Sequence, residues 1–184
     1  MRILQNMPGA DNKLLEMLTG YAAAHQHPFN VFVHLVGIPT IMLGVLIPLT
    51  WLSVDLGPVE VSAAHVVLLA FFLFYLTLDA LFALVFLAGG GLLLVLAGRI
   101  GDLPVGTGGA LAAACFFGGY LAQFVGHAVE RSMPVLVKHP VQANLAAPFF
   151  TVVEMFKLLG LRDELFHTVR RNVELQRARP TDSA

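Results

Sequence analysis

Apolar residues run along this chain in long blocks separated by short polar breaks, unlike the alternation of a soluble core. The first block, Val31–Val54, is long enough to cross a hydrocarbon layer of about 30 Å, and membrane helices tolerate prolines such as Pro39 and Pro48. The second extends from Ser62 to Gly98. It is too long for one crossing and long enough for two, 62–78 and 80–98, if the chain turns at TLDA. Asp79 marks that turn, because a carboxylate at mid-bilayer costs about 3 kcal/mol. Gly108–Val129 forms a fourth block, spanning about 108–129 and rich in small residues that permit close helix packing. Ahead of the first block, DNKLLEMLTGYAAAHQ (11–26) predicts an amphipathic helix capped by Asp11 or Asn12 and ended by Pro28, with Leu14, Leu15, Leu18 and Tyr21 on one side. Beyond the fourth, PFFTVVEMFKLL (148–159) predicts an interfacial helix with Glu154 and Lys157 on its polar side. Leu161–Arg179 then reads as a charged cytosolic-type helix, and 180–184 as a disordered tail. The expectation is an all-α, polytopic membrane protein with about four transmembrane helices, built as a single domain over 1–179 without internal repeats.

Composition agrees. Of 184 residues, 57% are hydrophobic and 12% charged, against about 25% charged in soluble domains. Mean hydropathy is +0.77. A net charge of −1 gives no reason to expect nucleic acid as a partner. The single cysteine, Cys115, lies in an apolar run, so neither a disulfide framework nor a thiolate metal cluster is expected. No signal peptide is expected, because the opening residues are polar or amphipathic. Positive charge gathers near both ends of the chain, at Arg2 and Lys13 and then from Arg131 to Arg171. The positive-inside rule therefore places both termini in the cytoplasm, which requires an even number of crossings. In a bacterium that membrane would be the inner one, and in a eukaryote the endoplasmic reticulum.

With four crossings, His25, His27 and His34 fall at the cytoplasmic start of the first span and His127 at the cytoplasmic end of the fourth. His65 falls on the far side. Tyr21 and His25 share a helical face, as do Asn30 and His34, and Gln123, His127 and Glu130 form one stripe beside Gly126. Imidazole, carboxylate and amide groups thus collect at one membrane depth, where polar groups are costly and usually functional. Neutral imidazoles with one carboxylate suit Fe(II), Mn or Zn. His65, His139 and His167 read as structural or surface residues. A haem protein with His34 and His127 as axial ligands, or a non-enzymatic transporter or scaffold, remains an alternative. A histidine-box hydroxylase needs more histidines than the seven present.

Two blocks carry a more specific signal: Y-x3-H-x2-P-x-N-x3-H followed by I-P-T-I, and Q-F-V-G-H with a nearby Glu, then A-P-F-F and F-K-L-L-G. In order and at this separation they resemble the membrane 2-hydroxy fatty acid dioxygenases, over about Tyr21 to Leu161. Gln26 stands where that family often carries a second histidine, with His27 one place later. The resemblance implies an Fe(II)-dependent enzyme that uses O2 to shorten 2-hydroxy fatty acids by one carbon, the chemistry of fatty acid α-oxidation, within membrane lipid. It implies His25, His34 and His127 as catalytic metal ligands and Glu130 or His27 as a completing or supporting group. Tyr21, Asn30 and Gln123 are expected to bind substrate or to fix the imidazoles. Neither substrate chain length nor oligomeric state follows from it.

Overall fold

The computed structural model describes residues 9–24, 27–138 and 140–177. His25, His139 and the 180–184 tail, each given a role or state above, lie outside the described residues. The described chain is helical throughout, apart from one short β-ribbon. Helix α1 spans Gly9–Ala24 and α2 spans Pro28–Thr50. Strands β1 (Ser53–Asp55) and β2 (Glu60–Ser62) pair antiparallel through Val54 and Val61. Helices α3 (Ala63–Leu76), α4 (Ala80–Gly101) and α5 (Val105–Glu130) follow. A short α6 (Val135–Lys138) leads to α7 (Pro140–Leu158) and α8 (Asp163–Arg177).

Among the described residues, α2, α4 and α5 are long and apolar enough to cross a membrane, while α3 is a shorter apolar helix. The expected blocks correspond to these four helices with shifted ends. The first stops at Thr50, not Val54, because Ser53–Asp55 leaves the helix to pair with β2. Pro28 takes the first-turn position of α2, where its missing N–H is no loss. His27 caps that helix, its Nδ1 accepting from Phe29 N at 3.2 Å. Asp79 caps α4 at the expected turn, accepting from Phe82 N at 3.0 Å.

Helices α2 and α5 form the central pair. A Cβ on Gly44 would lie 2.6 Å from Phe116 N and 2.8 Å from Ala112 O, so only glycine permits this approach. The two helices run antiparallel, since the start of α2 meets the end of α5. Three residues join α4 to α5, so α4 turns back against α5 and runs parallel to α2. Helix α3, about 21 Å long, is therefore the segment that returns the chain between α2 and α4.

Helices α1, α7 and α8 assemble on the side where α2 begins. Leu14, Leu15 and Leu18 join Phe149, Phe150, Val153, Phe156 and Phe166 in one buried cluster that also takes in Tyr75, Phe82 and Phe86. The leucine face predicted for α1 is this contact. Arg162, at the α7–α8 turn, pairs with Asp79 and lies 4.7 Å above the Phe82 ring. That cap is thereby tied to the α3–α4 turn. One expectation fails here: Glu154 does not face outward. It is 3% exposed, and Lys157 covers it with bonds of 3.0 and 3.1 Å while remaining partly exposed itself. The lysine stem lets the charge reach the surface as the carboxylate goes under.

Candidate functional site

His34 lies within the second turn of α2 and His127 in the last turn of α5, both buried. Their rings meet edge to face, with centroids 5.0 Å apart and an interplanar angle of 88°. Residues from the two ends of the sequence pattern thus come together as the four-helix reading requires. The backbone fixes the tautomer of His34: its Nδ1–H donates to the Asn30 carbonyl at 2.9 Å, since a carbonyl only accepts. Nε2 is then the ring nitrogen that can accept or ligate. His127 Nδ1 is 2.9 Å from Ser132 Oγ. That contact depends on Arg131, whose left-handed backbone (φ 56) ends α5 and folds Ser132 back to bond the His127 carbonyl at 3.0 Å.

Glu130 and Asn30 tie the two helices together behind these rings. Asn30 is fully buried, and its side-chain amide donates to Glu130 Oε2. The His27 backbone N–H donates to Glu130 Oε1 at 3.2 Å. One carboxylate therefore grips both the cap and the first turn of α2. Gly126 makes room: a Cβ there would lie 2.5 Å from Asn30 Oδ1, an oxygen without a hydrogen-bond donor. The His27 side chain itself is exposed, and its Nδ1 serves as the helix cap.

A cavity of about 870 Å³ opens beside the two imidazoles, lined by both His34 and His127. Tyr21 and Gln123 also line it, whereas Asn30 does not and bonds Glu130 instead. Tyr21 stacks on Phe150, with centroids 3.9 Å apart. Burial, then the carboxylates of Glu154 and Glu130, raise its phenol well above the ordinary 10.0 and keep it protonated. The rest of the wall is mostly apolar, drawn mainly from α2, α3, α5 and α7, with Met17 and Gly20 of α1, Phe86 of α4, Leu136 of α6 and Pro134 just before it. The sequence reading missed Tyr120 and Asn144, which line the same cavity and bond at 2.6 Å, and also Ser132 and the buried Glu154. An i, i+3 pairing of Tyr120 with Gln123 extends the polar stripe of α5 and was the available signal for Tyr120.

The donor set can be tested against a metal. With metal–nitrogen bonds of about 2.1 Å and ligand angles of about 90–110°, two imidazoles on one ion have centroids about 4.5–5.2 Å apart. The observed 5.0 Å falls within that range. His34 also has the hydrogen bond from Nδ1 that orients a metal-bound imidazole. Among the described residues no group of three or more His, Cys, Asp or Glu side chains is gathered to hold an ion. A metal at this pair needs a further donor, and His25 lies outside the described residues.

A family model described as 2-hydroxy-palmitic acid dioxygenase Mpo1-like matches residues 12–159. The chain belongs to this family. It is also similar to the 2-hydroxy-palmitic acid dioxygenase MPO1 of Saccharomyces cerevisiae, 29% identical over 164 residues covering 89% of this chain and 91% of the yeast protein. No solved structure matches it. The part matched by the Mpo1-like model contains every candidate residue from Tyr21 to Glu154 and ends at the turn before α8.

Proposed function

We propose that this protein is a membrane dioxygenase for 2-hydroxy fatty acids, with Fe(II) held by His25, His34 and His127 and its substrate's tail in the adjoining cavity. The observation that carries the reading is the meeting of two buried imidazoles at one end of a long apolar cavity. A 2-hydroxy acid and O2 balance to the acid one carbon shorter, CO2 and water. The C1–C2 bond breaks and the carbon bearing the hydroxyl is oxidised to a carboxyl group, while dioxygen is reduced. Ferrous iron at these residues would supply electrons to O2 and positive charge for the substrate's carboxylate and 2-hydroxyl.

The chain's own groups supply the rest. His34 offers Nε2 because Asn30 holds Nδ1–H, and Glu130 keeps Asn30 in position. Glu130 and the His27 cap act here as supports. Tyr21 and Gln123 line the cavity, and a neutral phenol and an amide are groups suited to a carboxylate. Apolar walls keep water from the reacting carbon and orient the tail. The positive-inside argument favours the cytoplasmic face for this end of the bundle. Axial haem ligation fits less well, because two imidazoles facing each other across one iron stand about 6 Å apart. The observed separation is 5.0 Å.

Oxygen uptake by detergent-purified protein given Fe(II) and 2-hydroxypalmitate tests the reading. Wild type is expected to consume oxygen and release pentadecanoate, and His127→Ala to lose at least about 99% of that activity. Folded, iron-loaded wild type that consumes none would defeat it.

A further inference from the structure

The cavity wall on α2 is one stripe: His34, Ile38, Ile41, Met42, Val45 and Leu46. His34, Ile38, Met42 and Leu46 recur every four residues with Ile41 and Val45 beside them, so they line a single channel running away from the imidazoles. From His34 to Leu46 the helix rises about 18 Å. Helix α3 supplies the facing stripe, with Val67, Leu68, Phe71 and Phe74. The channel has a floor. Leu46 also belongs to a second buried cluster with Ile47, Ala64, Ala97 and Ala112, which fills the bundle below.

Leu68 shares that deep end with Leu46, and it leans on Gly90 of α4. A Cβ built on Gly90 would lie 2.4 Å from Leu68 Cδ1, and 3.6 Å from Cγ. Gly90 is buried but does not line the cavity. The missing side chain is thus the recess into which Leu68 withdraws.

We infer that Gly90 sets the acyl chain length this protein accepts, by holding the Leu68 side chain out of the deep end of the channel. This rests on the fatty-acid reading above and names the residue that limits the tail. An extended carbon chain advances about 1.2 Å per bond, so about 18 Å takes about 15 bonds. A tail of palmitate length fills the channel to Leu46, while one several carbons shorter leaves the floor untouched. Alanine at position 90 displaces the end of the Leu68 side chain, the flexible group its Cβ meets, and the cavity that Leu68 lines is the open space beside it. Alanine also favours the helix, so the variant folds.

The test is competitive binding of unreactive palmitate and laurate to purified protein, read as displacement of radiolabelled palmitate. Wild type prefers palmitate. In Gly90→Ala the palmitate-to-laurate preference falls about tenfold or more, as expected when several methylenes lose their place in a fitted apolar site. Leu68→Ala added to Gly90→Ala restores the preference to within about threefold, because the displaced side chain is gone. An unchanged preference in Gly90→Ala, no rescue in the double variant, or no palmitate binding by wild type overturns the inference. The same pair of lengths as 2-hydroxy acids in the oxygen assay separates the two claims. Palmitate selectivity that depends on Gly90 without turnover defeats the dioxygenase reading alone. Turnover with a length preference indifferent to Gly90 defeats the channel assignment alone.

Discussion

Replacing Glu130 with Gln keeps the shape of the side chain and removes its charge. The Asn30 amide and the His27 backbone N–H now meet two carboxylate oxygens. After the substitution one of those donors faces an amide N–H instead. A loss of about 1–2 kcal/mol is expected, read as a lower thermal midpoint in detergent. Ferrous iron retained after gel filtration should fall further, by about 10–100-fold in affinity, because Asn30 also supplies the carbonyl that orients His34. Retention equal to wild type would show that the tie is structural only. The i, i+4 spacing of Asn30 and His34 was legible in the sequence. What joins them was not, since the acceptor is a backbone carbonyl that any residue would have provided. Ser132 was hidden for a related reason. Only the left-handed turn at Arg131 carries it back to His127.

Between elements, steric fit decides how closely α2 and α5 approach. Gly44→Ala places a methyl group against the Phe116 and Ala112 backbones, which cannot give way as a side chain can. The helices must separate, at a cost of about 3 kcal/mol, the upper end for overpacking. Gly20→Ala on α1 is the control, because nothing lies within 4 Å of its added Cβ. Its thermal midpoint should hold or rise by the helix-propensity gain, up to about 1 kcal/mol. Equal midpoints for the two variants would remove close α2–α5 packing as the source of rigidity. Long apolar blocks and the TLDA turn made the helices visible in advance, since a lipid-facing surface is written directly in hydropathy. Glu154 was misread for a complementary reason: a charged pair at i, i+3 looks alike on an open face and at a buried edge. Only the packing of α1 over α7, with Tyr21 stacked on Phe150, distinguishes them.

At the scale of the whole molecule, the contact of His34 with His127 fixes the parity of the bundle. The β1–β2 ribbon and the α7–α8 turn must lie at opposite ends. Single cysteines at Val59, exposed in the ribbon, and at Leu161, exposed at the turn, test this in a Cys115→Ser background. In sealed vesicles a membrane-impermeant maleimide should label one position, and the other only after permeabilisation. Labelling of both from the same side would break the parity and separate the two histidines by a membrane. Arginine and lysine placement favours the Leu161 side as cytoplasmic. The order of the helices could be argued from the sequence because charge and hydropathy act along the chain. The placement of α1, α7 and α8 on one end could not, since it depends on tertiary contacts such as Arg162 with Asp79.

Among the described residues, the imidazole pair draws on the first and the last of the three helices long and apolar enough to cross a membrane singly. A growing polypeptide already inserted through α4 carries only half of it. Until α5 leaves the ribosome and docks along Gly44, the nascent protein lacks the contact of His34 with His127 and the wall that α5 gives the cavity. Synthesis order itself thereby makes the pocket a late product, completed together with the final seal of the bundle.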